Sequence, residues 1–196
     1  MHFASLLSGA GVLAGSASAA ATKCKPSSEA VDLGPFICEV NHLLGGANFN
    51  PQTGLVFQKD AGISLDFKTD CVDNSGNEFL YCFDVSAQNP TGQQFRFTLT
   101  HDVPDGHQGY MFEFFYASSS LSSQIIECID NQDSAREDPI YLADLGTGAI
   151  NQFIDHQYAF SGSDSGPTAF TCTMSLTDSA EVTFAGFSIY EVCGGK

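Results

Sequence analysis

Two charged side chains lie among aromatic residues, at positions where binding chemistry could take place. Arg96 and Glu113 are each flanked by two phenylalanines. Ligand sites typically combine apolar and aromatic walls with a few polar groups that fix orientation. We therefore predict a ligand-binding groove formed by Arg96, Glu113, Phe115 and Tyr81.

The same two charges have a structural explanation that remains open at this point. Residues 93–101 and 110–117 each alternate apolar and polar positions, the pattern of a half-buried strand, and the polar segment 102–109 separates them. This arrangement predicts a hairpin. If Phe97 faces Phe112 in it, Arg96 lies opposite Glu113, and the cross-strand ion pair is worth about 0.2 to 1 kcal/mol.

The aromatic residues of these two segments predict the centre of a β core. Phe95, Phe97 and Leu99 occupy alternate positions in the first segment. The second segment repeats the pattern with Tyr110, Phe112, Phe114 and Tyr116. Because alternate residues of a strand share one face, each set should be buried together.

Nine or ten such short strands, separated by turns, predict an all-β protein. The one short helix expected lies at Leu142 to Asn151. In the last strand the apolar phase shifts at Ala185-Gly186, which predicts a β-bulge. We expect a disulfide-stabilised antiparallel β-sandwich of the jelly-roll kind.

The N-terminal residues predict export from the cell. Residues 1–19 combine a short apolar stretch with Ala17-Ser18-Ala19, as in a secretory signal peptide. A polar lead-in (20–30) and a single β-sandwich domain (31–196) should follow. The apolar stretch is too short to span a bilayer, so we expect a secreted, extracellular protein without membrane insertion.

Seven cysteines fit an oxidising compartment. Sequence alone does not choose among the arrangements of three bridges and one unpaired residue. We predict Cys71 with Cys82, Cys128 with Cys172, and Cys38 with Cys193. Cys24 is then the unpaired candidate, either free or bonded to another molecule.

Charge and motifs exclude several classes of function. With 23 acidic and 7 basic residues the net charge is −16, which opposes binding to nucleic acid. The loop 70–78 has Val72 and Ser75 where an EF-hand requires an oxygen ligand and glycine. We expect no required cofactor, although the many carboxylates leave a structural calcium ion open.

The stretch from about Asn48 to Cys193 resembles the CenC-type carbohydrate-binding modules of secreted fungal proteins, which have a galactose-binding-like jelly roll. The similarity lies in the aromatic strand Tyr110 to Phe114, the cysteine strand Ile125 to Ile129 and the closing segment Ala185 to Cys193. Tyr190-Glu191 stands where that family usually has two acidic or amide residues, and its common tryptophans are absent.

This resemblance implies a non-catalytic module that binds an extracellular glycan or polysaccharide. The second hypothesis is a secreted effector-like protein that binds a host or surface protein. The third hypothesis is a glycoside hydrolase, which requires a second carboxylate within roughly 10 Å of Glu113 in a cleft. The oligomeric state is left open.

Overall fold

The computed structural model describes residues 36–103, 110–131, 139–160 and 166–193. These residues form two antiparallel sheets packed face to face in a β-sandwich of the jelly-roll kind. One sheet runs β3-β4-β11-β6-β9, with β1 paired to β11, and comprises β1 (Phe36–Gly45), β3 (Ile63–Val72), β4 (Glu78–Ala87), β6 (Tyr110–Ser118), β9 (Ile154–Phe160) and β11 (Val182–Cys193). The other runs β2-β5-β10-β7-β8 and comprises β2 (Leu55–Lys59), β5 (Gln93–Val103), β7 (Ile125–Asp130), β8 (Ile140–Tyr141) and β10 (Gly166–Leu176).

Helical structure in the described residues is limited to three short turns. α1 (Pro51–Gly54) begins after Asn50, whose side chain accepts a hydrogen bond from the Gln52 amide. The short helix predicted within Leu142 to Asn151 takes only the 3-10 form. Two 3-10 turns, Leu142–Asp144 and Thr147–Ala149, occupy that segment. Gly146 and Gly148 lie within it, and glycine disfavours a continuous helix by about 1 kcal/mol per residue.

The predicted hairpin of β5 and β6 is also wrong, because the two strands belong to different sheets. β5 pairs with β2 and β10, whereas β6 pairs with β11 and β9. Arg96 lies opposite Thr173 and Gln58, and Glu113 lies opposite Ser188 and Gln157. The predicted ion pair between Arg96 and Glu113 therefore does not form.

The prediction that the alternating aromatic residues form the core is confirmed for the side chains described. Phe97 of β5 and Phe114 of β6 meet across the two sheets, edge to face, with ring centroids 5.9 Å apart. Phe83, Phe184 and Phe187 pack around them. Each such ring pair contributes about 0.5 to 1.5 kcal/mol beyond its buried area, so this cluster holds the sandwich together.

The predicted bulge in β11 is confirmed. The register shifts between Ala185 and Ser188, and Gly186 adopts a left-handed conformation with φ of 62°. The inserted residue places both Phe184 and Phe187 in the core. A Cβ atom on Gly186 would lie 2.4 Å from the Phe79 ring and 2.8 Å from the Phe115 ring, so the site requires glycine.

Two disulfides join the pairs expected from the sequence. Cys71–Cys82 links β3 to β4, and Cys128–Cys172 links β7 to β10 at directly opposed positions. The structure does not describe the side chains of Cys38 and Cys193, nor Cys24 and the segments 1–19 and 20–30. The predictions made for these residues are therefore untested. Among the described residues, no helix has the length and apolar character needed to cross a membrane.

Candidate functional site

The outer face of the six-stranded sheet carries an open depression of about 280 Å³. Its floor is formed where β3, β4, β11 and β6 lie side by side, and the residues just before β9 close one end. The residues that line it include Lys68, Asp70, Asp73, Asn151, Phe153 and Thr183.

A buried carboxylate anchors the floor of this depression. Asp84 accepts a hydrogen bond from the Thr183 hydroxyl at 2.7 Å and forms an ion pair with Lys68. The hydrogen bond from Lys68 to Asp84 raises the pKa of the Lys68 amine. Lys68 remains about half exposed, so a positively charged donor is held at a fixed position in the floor.

A hydrogen-bonded loop forms the wall of the depression beside β9. The Asp73 carboxylate accepts from the backbone amides of Ser75 and Asn77 at 2.8 Å each. It also accepts from the backbone amide of Phe153 at 2.7 Å. Burial alone would raise the pKa of Asp73, but these hydrogen bonds outweigh it and lower the pKa. Asp73 therefore fixes the position of Phe153.

Three aromatic rings lie next to the depression on the same face. Phe79 packs against Phe115 with centroids 4.9 Å apart and against Phe153 at 4.8 Å. Gly186 permits this packing, because its missing side chain leaves room for the first two rings. Phe153 lines the depression itself and supplies its aromatic wall.

A polar cluster continues this face beyond Phe115. Glu113 accepts hydrogen bonds from Tyr190 at 2.7 Å and from the Gln157 side chain at 2.9 Å. The same Gln157 amide nitrogen also donates a hydrogen bond to Asp155, at 2.9 Å. Burial and the neighbouring Glu113 raise the pKa of Asp155 to about 6, and burial with the bond to Glu113 raises the pKa of Tyr190 to about 12.

The four residues predicted as a single site are separated by the fold. Glu113 and Phe115 lie on the outer face of the six-stranded sheet, Glu113 in the polar cluster and Phe115 beside the depression. Arg96 lies on the other sheet, where it is exposed and donates to Thr173 at 3.2 Å. Tyr81 lines a smaller depression of about 110 Å³ with Phe67 and α1.

Sequence reasoning missed the residues that form the depression. Lys68 alternates with the apolar residues of β3, which predicts an outward position. Nothing in the local pattern shows that Asp84 and Thr183, 99 residues apart, lie opposite each other. Phe153 also gives no signal, because an aromatic residue before a strand ordinarily indicates core.

The third hypothesis, hydrolysis, requires a second carboxylate within roughly 10 Å of Glu113, and Asp155 meets this distance requirement. The Gln157 amide nitrogen bridges the two groups, so their oxygens lie no further apart than twice its 2.9 Å hydrogen bonds. However, Glu113 is buried and both of its oxygens accept hydrogen bonds from the protein. Among the described residues, no group of three or more His, Cys, Asp or Glu side chains could hold a metal ion.

Comparison with known proteins connects this geometry to a fold. No protein-family model matches the chain. No curated protein matches it either. Solved structures with a similar fold do exist, including the module TmCBM61 in complex with β-1,4-galactotriose. That match has a TM-score of 0.51 at 10% identity, and covers 72% of this chain and 94% of the module.

Two further structures show the range of these matches. The enzymatically active domain of tailspike protein 4 from bacteriophage CBA120 has a TM-score of 0.50 at 12% identity, over 76% of this chain and 21% of that one. The CBM22-1 xylan-binding domain of Paenibacillus barcinonensis Xyn10C has a TM-score of 0.45 at 9% identity, over 79% and 97%. At the level of fold, the chain is a β-sandwich similar to a carbohydrate-binding module.

Proposed function

We propose that the chain is a secreted, non-catalytic module that binds an extracellular glycan in the depression beside the Cys71–Cys82 disulfide. The observation that carries the proposal is the composition of the depression. A fixed ammonium group, a hydroxyl group, an amide and an aromatic ring converge on one open space of about 280 Å³. Those groups match the two kinds of surface on a sugar ring, its hydroxyl groups and its apolar C–H faces.

The fold supports the same proposal. TmCBM61, which has a similar β-sandwich, is described in complex with β-1,4-galactotriose. Fold similarity alone does not carry function, because one fold hosts many activities. The proposal therefore depends on Lys68, Asn151 and Phe153 of this chain, whose side chains line the space.

Several finer expectations belong to the same proposal. They are the signal peptide at residues 1–19, extracellular localisation, and a single domain from residue 31 onward. A specific relationship to the CenC-type modules of fungi is a further prediction from sequence, which also leaves a structural calcium ion open. Mass spectrometry of the exported protein would locate the cleavage site.

We favour binding over hydrolysis because Glu113 is buried and hydrogen-bonded within the protein. A general acid or nucleophile must contact the substrate, whereas both Glu113 oxygens are occupied by Gln157 and Tyr190. The Glu113 cluster then stabilises the sheet beside the ligand. Incubation with each glycan that binds should therefore release no reducing sugar.

A glycan array with and without calcium, followed by calorimetry on the positive ligands, tests this function. Asn151→Gly removes an amide from the depression. It preserves the backbone, because glycine accepts the φ of 57° found there. We expect this variant to weaken binding about 3- to 10-fold, the effect of about one lost hydrogen bond.

Arg96→Ala is the matched control, because it removes a polar side chain from the outer face of the opposite sheet. It should leave the affinity unchanged. If Arg96→Ala weakens binding and Asn151→Gly does not, the site lies on the other sheet. Absence of binding to plant, fungal and bacterial glycans on the array would reject glycan binding. It would favour the effector-like alternative, in which the ligand is a host or surface protein.

A further inference from the structure

The proposed ligand site has an excess of negative charge. Three carboxylates, those of Asp70, Asp73 and Asp84, line the depression together with the ammonium group of Lys68. Lys68 is already paired with Asp84, so its charge is compensated within the protein. The remaining two carboxylates lie in a chain whose formal net charge is −16.

The two remaining carboxylates differ in their availability to a ligand. Asp73 is bonded to its own loop and to the Phe153 amide, and its lowered pKa keeps it ionised near neutral pH. Asp70 is exposed. Thr69 and Cys71 pair with β4 on either side of it, while Asp70 adopts a left-handed conformation with φ of 55°.

We infer that the glycan is free of acidic groups and that amino groups on it strengthen binding through the Asp70 carboxylate. This inference rests on the proposed function and specifies the ligand class of the same site. A uronic acid or sulfated sugar would meet two carboxylates beside a lysine whose charge Asp84 already balances, which like-charge repulsion disfavours. A protonated amino sugar would gain an opposite charge at the mouth of the depression.

Matched ligands allow a direct test of the charge preference. We would titrate the full chain with β-1,4-linked N-acetylglucosamine oligomers, with their deacetylated counterparts, and with oligogalacturonate. At about pH 5.5 the amino groups are protonated. The deacetylated oligomer should bind up to about fivefold more tightly than the acetylated one, the range of an exposed ion pair. Salt should reduce this difference.

Two variants separate the action of Asp70 from that of overall charge. Asp70→Asn removes the charge but keeps the shape, and asparagine tolerates a positive φ. Asp66→Asn makes the same change on the same strand, at an exposed position outside the depression, where Asp66 accepts from Ser64. Asp70→Asn should abolish the preference for the amino form, and Asp66→Asn should retain it.

The outcomes distinguish the inference from the proposed function. Binding of oligogalacturonate, equal affinity for the acetylated and deacetylated oligomers, or equal effects of the two variants would overturn the inference alone. So would binding of an uncharged glycan from the array without binding of the amino oligomer. Absence of binding to any glycan would remove the proposed function, and the inference with it.

Discussion

Glu113 and Asp155, on neighbouring strands of the six-stranded sheet, share the side-chain amide of Gln157. Its nitrogen lies 2.9 Å from an oxygen of each carboxyl group. Two carboxylates so close repel each other when both are ionised. Burial and this repulsion together raise the pKa of Asp155 to about 6. The pair joins β6 to the edge strand β9, which begins next to the Phe153 of the depression.

This relationship predicts that acid stabilises the fold through Asp155. The folded-state pKa of about 6 exceeds the ordinary aspartate value of 3.8, so the folded protein binds the proton more tightly. The stabilisation that comes from protonated Asp155 is fully present below the unfolded-state pKa, and it is lost as pH rises through about 6. Asp155→Asn should therefore raise the free energy of unfolding at pH 7 and flatten its pH dependence between about 4 and 6. Solvent screening limits the gain to about 1 kcal/mol.

Urea unfolding at several pH values measures this effect as a difference between wild type and variant. The difference is needed because His156, on the same strand, has a pKa lowered by burial and acts in the opposite direction. Asp144→Asn, at an exposed position, is the matched control. Equal pH profiles for wild type and Asp155→Asn would contradict the prediction.

Gly186 provides a prediction about the rings beside the depression. In Gly186→Ala, the new methyl group would meet Phe79 and Phe115 while the backbone stays in a left-handed conformation. We expect a loss of about 3 kcal/mol in the free energy of unfolding, from overpacking and backbone strain together. The measurement is denaturant unfolding.

Gly92→Ala is the control for Gly186→Ala. Gly92 has a φ of 88°, and a Cβ atom added there would have no heavy atom within 4 Å other than those of Gly92 and its chain neighbours. This variant should lose only the backbone contribution of about 1 kcal/mol. Similar losses in the two variants would mean that contact with the rings does not determine the cost.

The disulfides should differ in their contribution to stability. Cys128–Cys172 closes a loop with a sequence separation of 44, against 11 for Cys71–Cys82. In the chain-entropy description, these loops correspond to about 4 and 3 kcal/mol. We expect the double variant Cys128→Ala/Cys172→Ala to lower the midpoint of unfolding more than Cys71→Ala/Cys82→Ala. The opposite order would show that local packing around Cys71 and Cys82 dominates.

The sequence predicted the faces of the strands far better than their partners. Alternation identified Phe97 and Phe114 as core residues, because side-chain direction along a strand is a local property. The pairing of β5 and β6 is not local. Six residues separate the two strands. Such a connection reaches roughly 20 Å when extended, and two packed sheets lie only about 10 Å apart. It can therefore cross between sheets as easily as close a hairpin.

The same limit explains why the residues of the depression were not predicted. The alternation along β6 indicated the outward direction of Glu113 and Phe115, but it did not show what lies beside them. Arg96 was grouped with them only through the incorrect hairpin. The strand order β3-β4-β11 brings Lys68, Asp84 and Thr183 together. Because β11 is far from β3 and β4 in the sequence, no short sequence pattern contains this arrangement.

Asp178 should be the most important carboxylate for stability at the turn before β11. It accepts hydrogen bonds from the Ser122 hydroxyl, from the Ser123 amide at 2.7 Å and from the buried Gln124 side chain. Burial would raise its pKa, but the hydrogen bonds from the backbone amides of Ala180 and Ser123 and from the Ser122 and Ser123 hydroxyls outweigh burial and lower it. The carboxylate therefore joins the segment that leads into β7 to the turn between β10 and β11.

We expect Asp178→Asn to lower the free energy of unfolding by about 2 kcal/mol at pH 7, the value of charge-assisted hydrogen bonds. Because the folded-state pKa is depressed, this contribution is present above the unfolded pKa and is lost as pH falls through the folded value. The gap between wild type and variant should therefore narrow in strong acid. Denaturant unfolding at neutral and acid pH measures it, with Asp144→Asn again as control. A gap that stays constant into acid would show that the bonds do not depend on the charge of Asp178.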